Sequence, residues 1–171
     1  AAATSSSITV SPVIPYHLEA VLDKLEESGC KITKKGNSIS IRGTNIKAVD
    51  IKTAPFPGFP TDLQAPFMAL MTIAEGRSKI SETIFENRMN HVEVLNQMGS
   101  SITVRDNVAH INGVKKLRGM TLVGSDLRSS AALVIAALIS NRISHIYGLE
   151  HLDRGYENFE LKLKQLGVRI K

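Results

Sequence analysis

The sequence contains one short pattern twice, and this repetition constrains the possible folds more than any other feature. Residues 61–63 (Thr-Asp-Leu) and 125–127 (Ser-Asp-Leu) each place a hydroxyl residue and an aspartate just before an apolar run. Those runs cover residues 66–74 and 131–139, and in the first of them apolar side chains recur every three or four positions. Such spacing predicts a helix with a buried face, and the repeat predicts a chain built from similar supersecondary units.

The segments around these two helices follow the same order in each copy. Residues 75–80 and 140–146 both predict a turn that leads into an alternating strand. Closing glycines also recur, at Gly29, Gly99 and Gly167, each at the end of a predicted helix. The repeating order is strand, helix, strand, helix, strand, strand. It predicts an α/β fold of repeated βαβαββ units, which either surround their helices with sheets or pack into two layers.

The predicted elements form one full unit between parts of two others, as expected for a piece of a longer repeating protein. Residues 8–171 are expected to form a single domain, and residues 1–7, which are small and mostly polar, a disordered lead-in. Besides the helices that follow Asp62 and Asp126, the predicted helices cover residues 15–28, about 90–98 and about 156–166. The predicted strands cover residues 8–10, 31–34, 38–41, 48–53, 78–84, 102–104, 108–111, 120–123, 143–147 and 168–170.

Composition limits the class of protein. With 43% hydrophobic and 22% charged residues, the 171-residue chain is typical of a globular protein, and the absence of Trp predicts a mostly aliphatic core. No apolar run is long enough to span a bilayer. The net charge of +5 suits a nucleic acid or a smaller polyanion such as a phosphorylated metabolite. The densest basic pairs, at residues 34–35 and 115–116, fall at predicted turns, where such pairs usually belong to a solvated loop.

Cys30 is the single cysteine of the chain, so no disulfide can form within it. This suits a reducing compartment, and a cytoplasmic location is expected. A lone cysteine could be a nucleophile, but no histidine lies near it in sequence. Because it follows Gly29 between a predicted helix and a predicted strand, we expect Cys30 to be a small buried core residue.

Two interpretations compete for the acidic and basic residues near the predicted helix starts. Asp62 follows Pro60 at a helix N-terminus, where an aspartate can be a cap or an ionised carboxylate available for chemistry. Arg88 and Arg154 stand close behind acidic residues at 86 and 153. They are either surface ion-pair partners of those residues or cations that hold a ligand.

Four motifs together resemble the enolpyruvyl transferase family. They are residues 59–62 (Phe-Pro-Thr-Asp), 82–88 (Glu-Thr-Ile-Phe-Glu-Asn-Arg), 126–130 (Asp-Leu-Arg-Ser-Ser) and 153–157 (Asp-Arg-Gly-Tyr-Glu). The match extends from about residue 10 to the end of the chain. The resemblance implies an inside-out α/β barrel with two similar domains of three units each and substrate bound between them. The chain resembles most of one such domain, and the second domain is an expected partner.

The resemblance also implies an activity. Within the family, residues 84–88 and 153–156 favour the branch that moves enolpyruvate from phosphoenolpyruvate to the 3-hydroxyl of UDP-N-acetylglucosamine and releases phosphate. That reaction is the first committed step of peptidoglycan synthesis, with its links to cell shape and cell division. The shikimate-pathway branch is the alternative. Both substrates are expected partners, and no cofactor, metal, nucleic acid or membrane is expected.

Adding an alcohol to an enol phosphate needs a base, an acid and cations that hold the anionic substrate. The resemblance implies that Asp62 accepts the hydroxyl proton. It further implies that the backbone at Ile84 contacts the UDP-sugar, and that Glu86 and Arg88 line the cleft.

Three more roles follow from the same resemblance. Arg128 and Arg154 would face the phosphate and carboxylate of phosphoenolpyruvate, which a planar guanidinium can bind with two hydrogen bonds. Asp126 would stand beside them as a second proton-transfer group. The predicted catalytic residues are thus Asp62, Asp126 and Arg154.

The chain also departs from the family. The family's mobile loop with a reactive cysteine and its Lys-Asn pair have no counterpart here, and Cys30 does not match that cysteine. The chain is therefore expected to hold about half of an active site and to be inactive alone. A basic RNA-associated α/β repeat module stays open, although no aromatic-rich strand or basic stripe supports it. A catalytically inactive interaction domain also stays open.

Overall fold

The computed structural model describes residues 1–170, and its elements follow the predicted order. Short 3₁₀ turns at Pro15–Leu18 and Thr61–Leu63 precede the first two α-helices. The helices are α1 (Glu19–Glu27), α2 (Gln64–Met71), α3 (His91–Gln97), α4 (Leu127–Leu138), α5 (Glu150–Asp153) and α6 (Phe159–Gln165). The strands are β1 (Ser7–Val10), β2 (Lys31–Lys35), β3 (Ser38–Arg42), β4 (Ile51–Lys52), β5 (Arg77–Ser81), β6 (Ser101–Arg105), β7 (Val108–Asn112), β8 (Thr121–Val123) and β9 (His145–Tyr147).

The strands form three sheets that correspond to one complete unit and two partial ones. The complete sheet has the order β4-β5-β7-β6, in which β4 and β5 are parallel and the other two pairs are antiparallel. The parallel pair β8-β9 repeats the pair β4-β5, and the antiparallel sheet β1-β3-β2 repeats the three strands β5-β7-β6. The predicted α/β fold of repeated units is confirmed.

The helices α2 and α4 lie side by side in the centre of the fold. Every residue of α2 except Pro66 is buried, so this helix is enclosed on all sides. The buried part of α4 runs from Ser129 to Val134 and continues at Ala136. A helix that is apolar all round must lie inside a core, which explains why the sheets are on the outside. The core is mostly aliphatic, with Phe59 and Phe67 as its aromatic members.

The repeated glycines end helices in the same way in each unit. After α1, Gly29 has a φ of 101°, its N–H binds the carbonyl of Glu26, and the N–H of Cys30 binds the carbonyl of Leu25. The same pair of hydrogen bonds follows α3 and α6. This is a Schellman motif, which needs a residue in the left-handed conformation, and glycine adopts that conformation without strain. The helix ends predicted from glycine spacing are confirmed.

Several predicted boundaries are wrong for physical reasons. The last helix, predicted over about 156–166, begins only at Phe159 because Asn158 adopts a left-handed φ of 49° just before α6. The strand predicted over residues 78–84 ends at Ser81, because the N–H groups of Ile84 and Phe85 donate to the Glu82 side chain rather than to a neighbouring strand. The predicted strand at 48–53 is paired as a strand only over Ile51–Lys52. Residues 168–170 are irregular rather than extended into a strand.

The expected disordered lead-in at residues 1–7 is also wrong. Ala2 and Ala3 pack against the core, and the Ser6 N–H binds the carbonyl of Ala1. Ser7 is already the first residue of β1, paired with Arg42.

Cys30 is buried with 5% of its surface exposed. Burial raises the pKa of its thiol above the usual value, although a hydrogen bond with Ser28 and the N-terminal charge act in the opposite direction. A protonated, enclosed thiol is a poor nucleophile. The expectation that Cys30 is a structural core residue is confirmed.

His91 is a buried titratable residue at the start of α3. Its Nε2 lies 3.2 Å from the sulfur of Met68, and burial lowers its pKa from 6.5 to about 4, despite the opposing effect of the Asp126 charge. The unfolded chain therefore binds a proton near pH 6.5, whereas the folded chain does so only near pH 4. The stability that neutral His91 contributes is present above pH 6.5 and is lost as the pH falls toward 4.

We predict that His91→Gln flattens the pH dependence of unfolding. At about 1.4 kcal/mol per pKa unit, the wild-type chain should lose on the order of 3 kcal/mol through His91 between pH 6.5 and 4. Urea unfolding at several pH values measures this loss. His110→Gln, at an exposed position of β7, is the matched control and should keep the wild-type slope. Equal slopes for wild type and His91→Gln would contradict the prediction.

Candidate functional site

Asp62 and Arg128 meet where α2 and α4 begin. Asp62 lies in the 3₁₀ turn before α2, and Arg128 lies in the first turn of α4. The Arg128 Nε donates to the Asp62 Oδ1 over 2.6 Å, and the Nη1 of Arg88 lies 3.5 Å from the same oxygen. The Asp62 side chain is 66% exposed, so a ligand can reach it. The structure thus brings together three of the predicted site residues.

The two repeated aspartates play different local roles. Asp62 makes no capping hydrogen bond, so the alternative interpretation of Asp62 as a helix cap is wrong. Asp126 is the N-cap of α4, and its Oδ1 accepts from the N–H groups of Arg128 (2.9 Å) and Ser129 (3.1 Å). Its Oδ2 accepts from the hydroxyls of Ser129 and Ser125. Burial raises the pKa of Asp126, but these hydrogen bonds outweigh it and hold the pKa below its usual value.

Arg88 is held in place by three contacts. Besides facing Asp62, its Nη1 donates to the Thr61 hydroxyl over 3.0 Å, and its guanidinium carbon lies 3.6 Å above the centre of the Phe85 ring. The stacked geometry is a cation–π contact. Arg88 therefore pairs with Asp62 rather than with Glu86, which is exposed.

The loop between β5 and Arg88 is fastened by Glu82. The Glu82 carboxylate accepts from the N–H groups of Ile84 (2.8 Å) and Phe85 (3.2 Å). The side chains of Ile84 and Phe85 point outward and are 36% and 47% exposed. The loop therefore presents two apolar side chains and Arg88 next to Asp62. Glu82 and Phe85 are residues of this site to which the motif resemblance assigned no role.

Residues 154–156 follow α5 in the third unit, and Tyr156 lies near the charges of Asp62 and Arg128. Arg154 is an exposed residue at the end of α5 and is not one of the two arginines paired with Asp62. Between Arg154 and Tyr156, Gly155 packs so closely on Leu127 that a Cβ would lie 2.8 Å from its Cδ2. Burial raises the pKa of Tyr156, and the nearby charge of Asp62 raises it further while Arg128 opposes this. The sequence motif had signalled this segment, but Tyr156 itself was given no role.

The Asp62 cluster lies on an open surface. Two concavities elsewhere on the molecule, one beside Thr44 and Val114 and one beside Lys24 and Lys79, do not include Asp62. Within residues 1–170, no three His, Cys, Asp or Glu side chains are grouped so that they could hold a metal ion. No helix in the described part of the chain is long and apolar enough to cross a membrane.

Chemically, the cluster combines two guanidinium groups with one carboxylate. Arg88 and Arg128 converge on Asp62, and both guanidinium groups are partly exposed, at 21% and 34% of their side-chain surface. Guanidinium groups bind carboxylates and phosphates with paired hydrogen bonds. The arrangement can hold an anion beside a carboxylate that is able to accept a proton.

Comparison with known proteins gives relatives that are much longer than this chain. The UDP-N-acetylglucosamine 1-carboxyvinyltransferase of Prochlorococcus marinus subsp. pastoris (strain CCMP1986 / NIES-2087 / MED4) is 84% identical over 171 residues, which are 100% of this chain and 37% of the relative. The UDP-N-acetylglucosamine 1-carboxyvinyltransferase of Prochlorococcus marinus (strain MIT 9312) is 74% identical over 170 residues, or 99% of this chain and 37% of the relative. The chain thus spans well under half the length of these relatives.

Solved structures show the same fold. The enolpyruvyl transferase NikO from Streptomyces tendae superposes with a TM-score of 0.81 at 28% identity, over 90% of this chain and 36% of that protein. EPSP synthase from Acinetobacter baumannii superposes with a TM-score of 0.62 at 14% identity, over 81% of this chain and 34% of that protein. The second likeness concerns the fold alone.

The sequence profile of EPSP synthase (3-phosphoshikimate 1-carboxyvinyltransferase) matches residues 1–163, nearly the whole chain. This match, together with the repeated α/β units, shows that the chain belongs to the EPSP synthase family.

Proposed function

We propose that the full-length protein containing this chain transfers enolpyruvate from phosphoenolpyruvate to the 3-hydroxyl of UDP-N-acetylglucosamine and releases phosphate. The observation that carries the proposal is the Asp62 carboxylate between Arg88 and Arg128 in a chain 84% identical to a UDP-N-acetylglucosamine 1-carboxyvinyltransferase. The reaction is the first committed step of peptidoglycan synthesis, and a cytoplasmic location is part of the proposal. Because the cluster is open, the rest of the protein supplies the other wall, and this chain alone is inactive.

In the proposed reaction, Asp62 takes the proton of the sugar hydroxyl as its oxygen attacks C2 of phosphoenolpyruvate. An acid protonates the methylene carbon, which gives a tetrahedral intermediate. Phosphate then leaves with its electron pair, and loss of a proton from the new methyl group restores the double bond. The protons and electrons balance without an oxidant or a cofactor.

The Asp62–Arg128 ion pair has a place in this scheme. While the pair persists, the Arg128 Nε occupies the Asp62 Oδ1 over 2.6 Å. An arriving phosphate or carboxylate competes for Arg128, since both anions match its paired donors. Substrate binding therefore frees Asp62 to act as the base. Arg88 stays in place through Thr61 and Phe85 and holds the same anion.

The remaining predicted residues have narrower proposed roles. Arg154, an exposed residue two positions before Tyr156, approaches the anionic substrate once the second domain closes the cleft. The Ile84 backbone and Glu86 contact the UDP-sugar from the loop. Asp126 stays a candidate for proton transfer, but its four accepted hydrogen bonds favour a role in holding the first turn of α4, and hence Arg128, in place.

The test is phosphate release from phosphoenolpyruvate by the full-length protein with UDP-N-acetylglucosamine, and separately with 3-phosphoshikimate. We expect release only with the UDP-sugar. Release only with 3-phosphoshikimate would assign the protein to the shikimate branch. No release with either acceptor, together with salt-dependent RNA binding, would favour the RNA-associated module instead.

We predict that Asp62→Asn in the full-length protein abolishes most turnover but hardly changes stability. The amide cannot accept the hydroxyl proton, and loss of a general base costs on the order of a hundredfold or more in rate. The side chain is 66% exposed, and exposed ion pairs contribute about 0–1 kcal/mol. A thermal melt and a phosphate-release assay on one preparation measure both effects.

The matched control for Asp62→Asn is Asp106→Asn. Asp106 is an exposed residue of the β6–β7 turn with a φ of 48°, a conformation that Asn adopts readily. This variant should retain wild-type turnover. Near-normal turnover of Asp62→Asn would remove Asp62 from the role of base.

We further predict that Arg128→Lys and Arg154→Lys weaken the use of phosphoenolpyruvate far more than binding of the UDP-sugar. Lysine keeps the charge but loses the planar pair of donors. Losing one hydrogen bond to a charged group, about 1.5–3 kcal/mol, should raise the KM for phosphoenolpyruvate roughly 10- to 100-fold. Steady-state kinetics and UDP-sugar titration separate the two effects. Arg105→Lys, at an exposed position on β6, is the control, and normal kinetics in all three variants would make Arg128 and Arg154 ordinary surface cations.

A further inference from the structure

Glu82 is a nearly enclosed carboxylate at the end of β5, with 4% of its surface exposed. Its Oε1 accepts from the Thr53 hydroxyl (2.9 Å) and from the N–H groups of Ile84 (2.8 Å) and Phe85 (3.2 Å). Its Oε2 accepts from the Thr61 hydroxyl over 2.8 Å. One buried side chain therefore joins β4, the loop after β5 and the turn that carries Asp62.

Glu82 is ionised at neutral pH. Burial raises its pKa, but the hydrogen bonds from Ile84, Thr61, Thr53 and Phe85 together lower the pKa below its usual value. Its partners are hydroxyl and N–H groups, and no lysine or arginine forms a salt bridge with it in the described part of the chain. A buried anion without a countercharge is costly, and a neutral side chain could fill the same space.

The hydrogen bonds of Glu82 determine the direction of the Thr61 hydroxyl. That hydroxyl has one proton, which it donates to Glu82, so only its lone pairs are left for Arg88. The Arg88 Nη1 donates to the Thr61 oxygen at 3.0 Å and lies 3.5 Å from the Asp62 Oδ1. Glu82 is thus two hydrogen bonds away from the guanidinium that faces Asp62.

The second support of Arg88 also begins at Glu82. The N–H of Phe85 is bound by the Glu82 Oε1, and the Phe85 ring lies 3.6 Å below the Arg88 guanidinium. Because the loop backbone is held at Phe85, the ring stays under the cation. Both the hydrogen-bonded and the stacked contact of Arg88 therefore depend on the same carboxylate.

From this geometry we propose that Glu82 is a positioning residue of the active site: it fixes Thr61 and Phe85, and through them Arg88, beside Asp62. The inference rests on the proposed function. Glu82 does not touch the substrate. A guanidinium that is already oriented needs little reorganisation when charge develops on the substrate, which is what makes such a donor effective.

A role in loop packing alone is the competing explanation, and the two threonines distinguish it. Thr53 and Thr61 each donate one hydroxyl hydrogen bond to Glu82. Thr53 is fully buried, and its hydroxyl oxygen accepts a hydrogen bond from the N–H of Thr83. The hydroxyl oxygen of Thr61 instead accepts one from Arg88. Thr53→Val and Thr61→Val therefore each remove one hydroxyl hydrogen bond to Glu82, but only Thr61→Val also removes the hydrogen bond to Arg88.

The experiment compares Glu82→Gln, Thr61→Val and Thr53→Val in the full-length protein. Gln has the same shape, and its oxygen can still accept from Thr53, Ile84 and Phe85. Its amide nitrogen would donate to Thr61 and turn the Thr61 proton toward Arg88. We expect Glu82→Gln and Thr61→Val each to lower kcat about 10- to 100-fold, because small misplacements of catalytic groups have effects of this order. The KM for the UDP-sugar should stay within about threefold, and Thr53→Val should lower the melting temperature but keep kcat within about twofold.

The double variant Glu82→Gln/Thr61→Val should be no slower than the slower single variant, since both substitutions disrupt the same hydrogen bonds from Glu82 through Thr61 to Arg88. Normal kcat in Glu82→Gln, or an equal loss of kcat in Thr53→Val, would overturn the positioning role while wild-type turnover still supports the proposed function. An inactive wild type would instead refute the proposed function.

A further readout does not need turnover. In urea unfolding, the midpoint shifts of Glu82→Gln and Arg88→Ala should be non-additive if Glu82 holds Arg88 in place. Additive shifts would overturn the inference whatever the activity of the protein is.

Discussion

The side-by-side packing of α2 and α4 is the contact on which the other features of this molecule depend. The helix α2 is enclosed, and on the buried part of α4 Ala132 and Ala136 are fully buried and small enough to permit close approach. Because the two helices come from equivalent places in consecutive units, their N-termini emerge together. This brings Arg128 to within 2.6 Å of Asp62, although 66 residues separate them. The cluster around Asp62 is therefore a consequence of how repeated units pack.

The repeat is symmetrical in its scaffold but not in its chemistry. In the third unit Asp126 caps α4, whereas in the second unit Asp62 leaves the helix end and pairs with arginines. The residues that follow the inner strands also differ. Glu82 follows β5, whereas Gly148 follows β9, where a Cβ would lie 2.5 Å from the carbonyl oxygen of Gly124. A buried carboxylate fits in one unit and no side chain at all fits in the other, so only one copy could develop this network.

An open cluster of this kind suits a site shared between two parts of a protein. The side chains of Asp62, Arg128 and Arg88 are all accessible from one surface, while Glu82 behind them is enclosed. A polar group at the surface exchanges partners at little cost, but a buried network does not. We infer that Asp62 and Arg128 exchange partners in the proposed reaction, and that the enclosed Glu82 keeps Arg88 where it is.

The sequence by itself determined the order of the elements, the glycine closures and, through four motifs, the residues Asp62, Arg88 and Arg128. The elements and closures depend on local rules, since helical spacing, turn residues and left-handed glycines act over a few neighbouring positions, whereas the three site residues follow from the resemblance of the motifs to a family. Only the tertiary structure decided that Asp126 rather than Asp62 is a cap, that Ala2 and Ala3 join the core, and that Glu82 lies behind the site. Each of these depends on which distant groups become neighbours on packing, because a hydroxyl or carboxylate binds whichever partner the fold brings within about 3 Å.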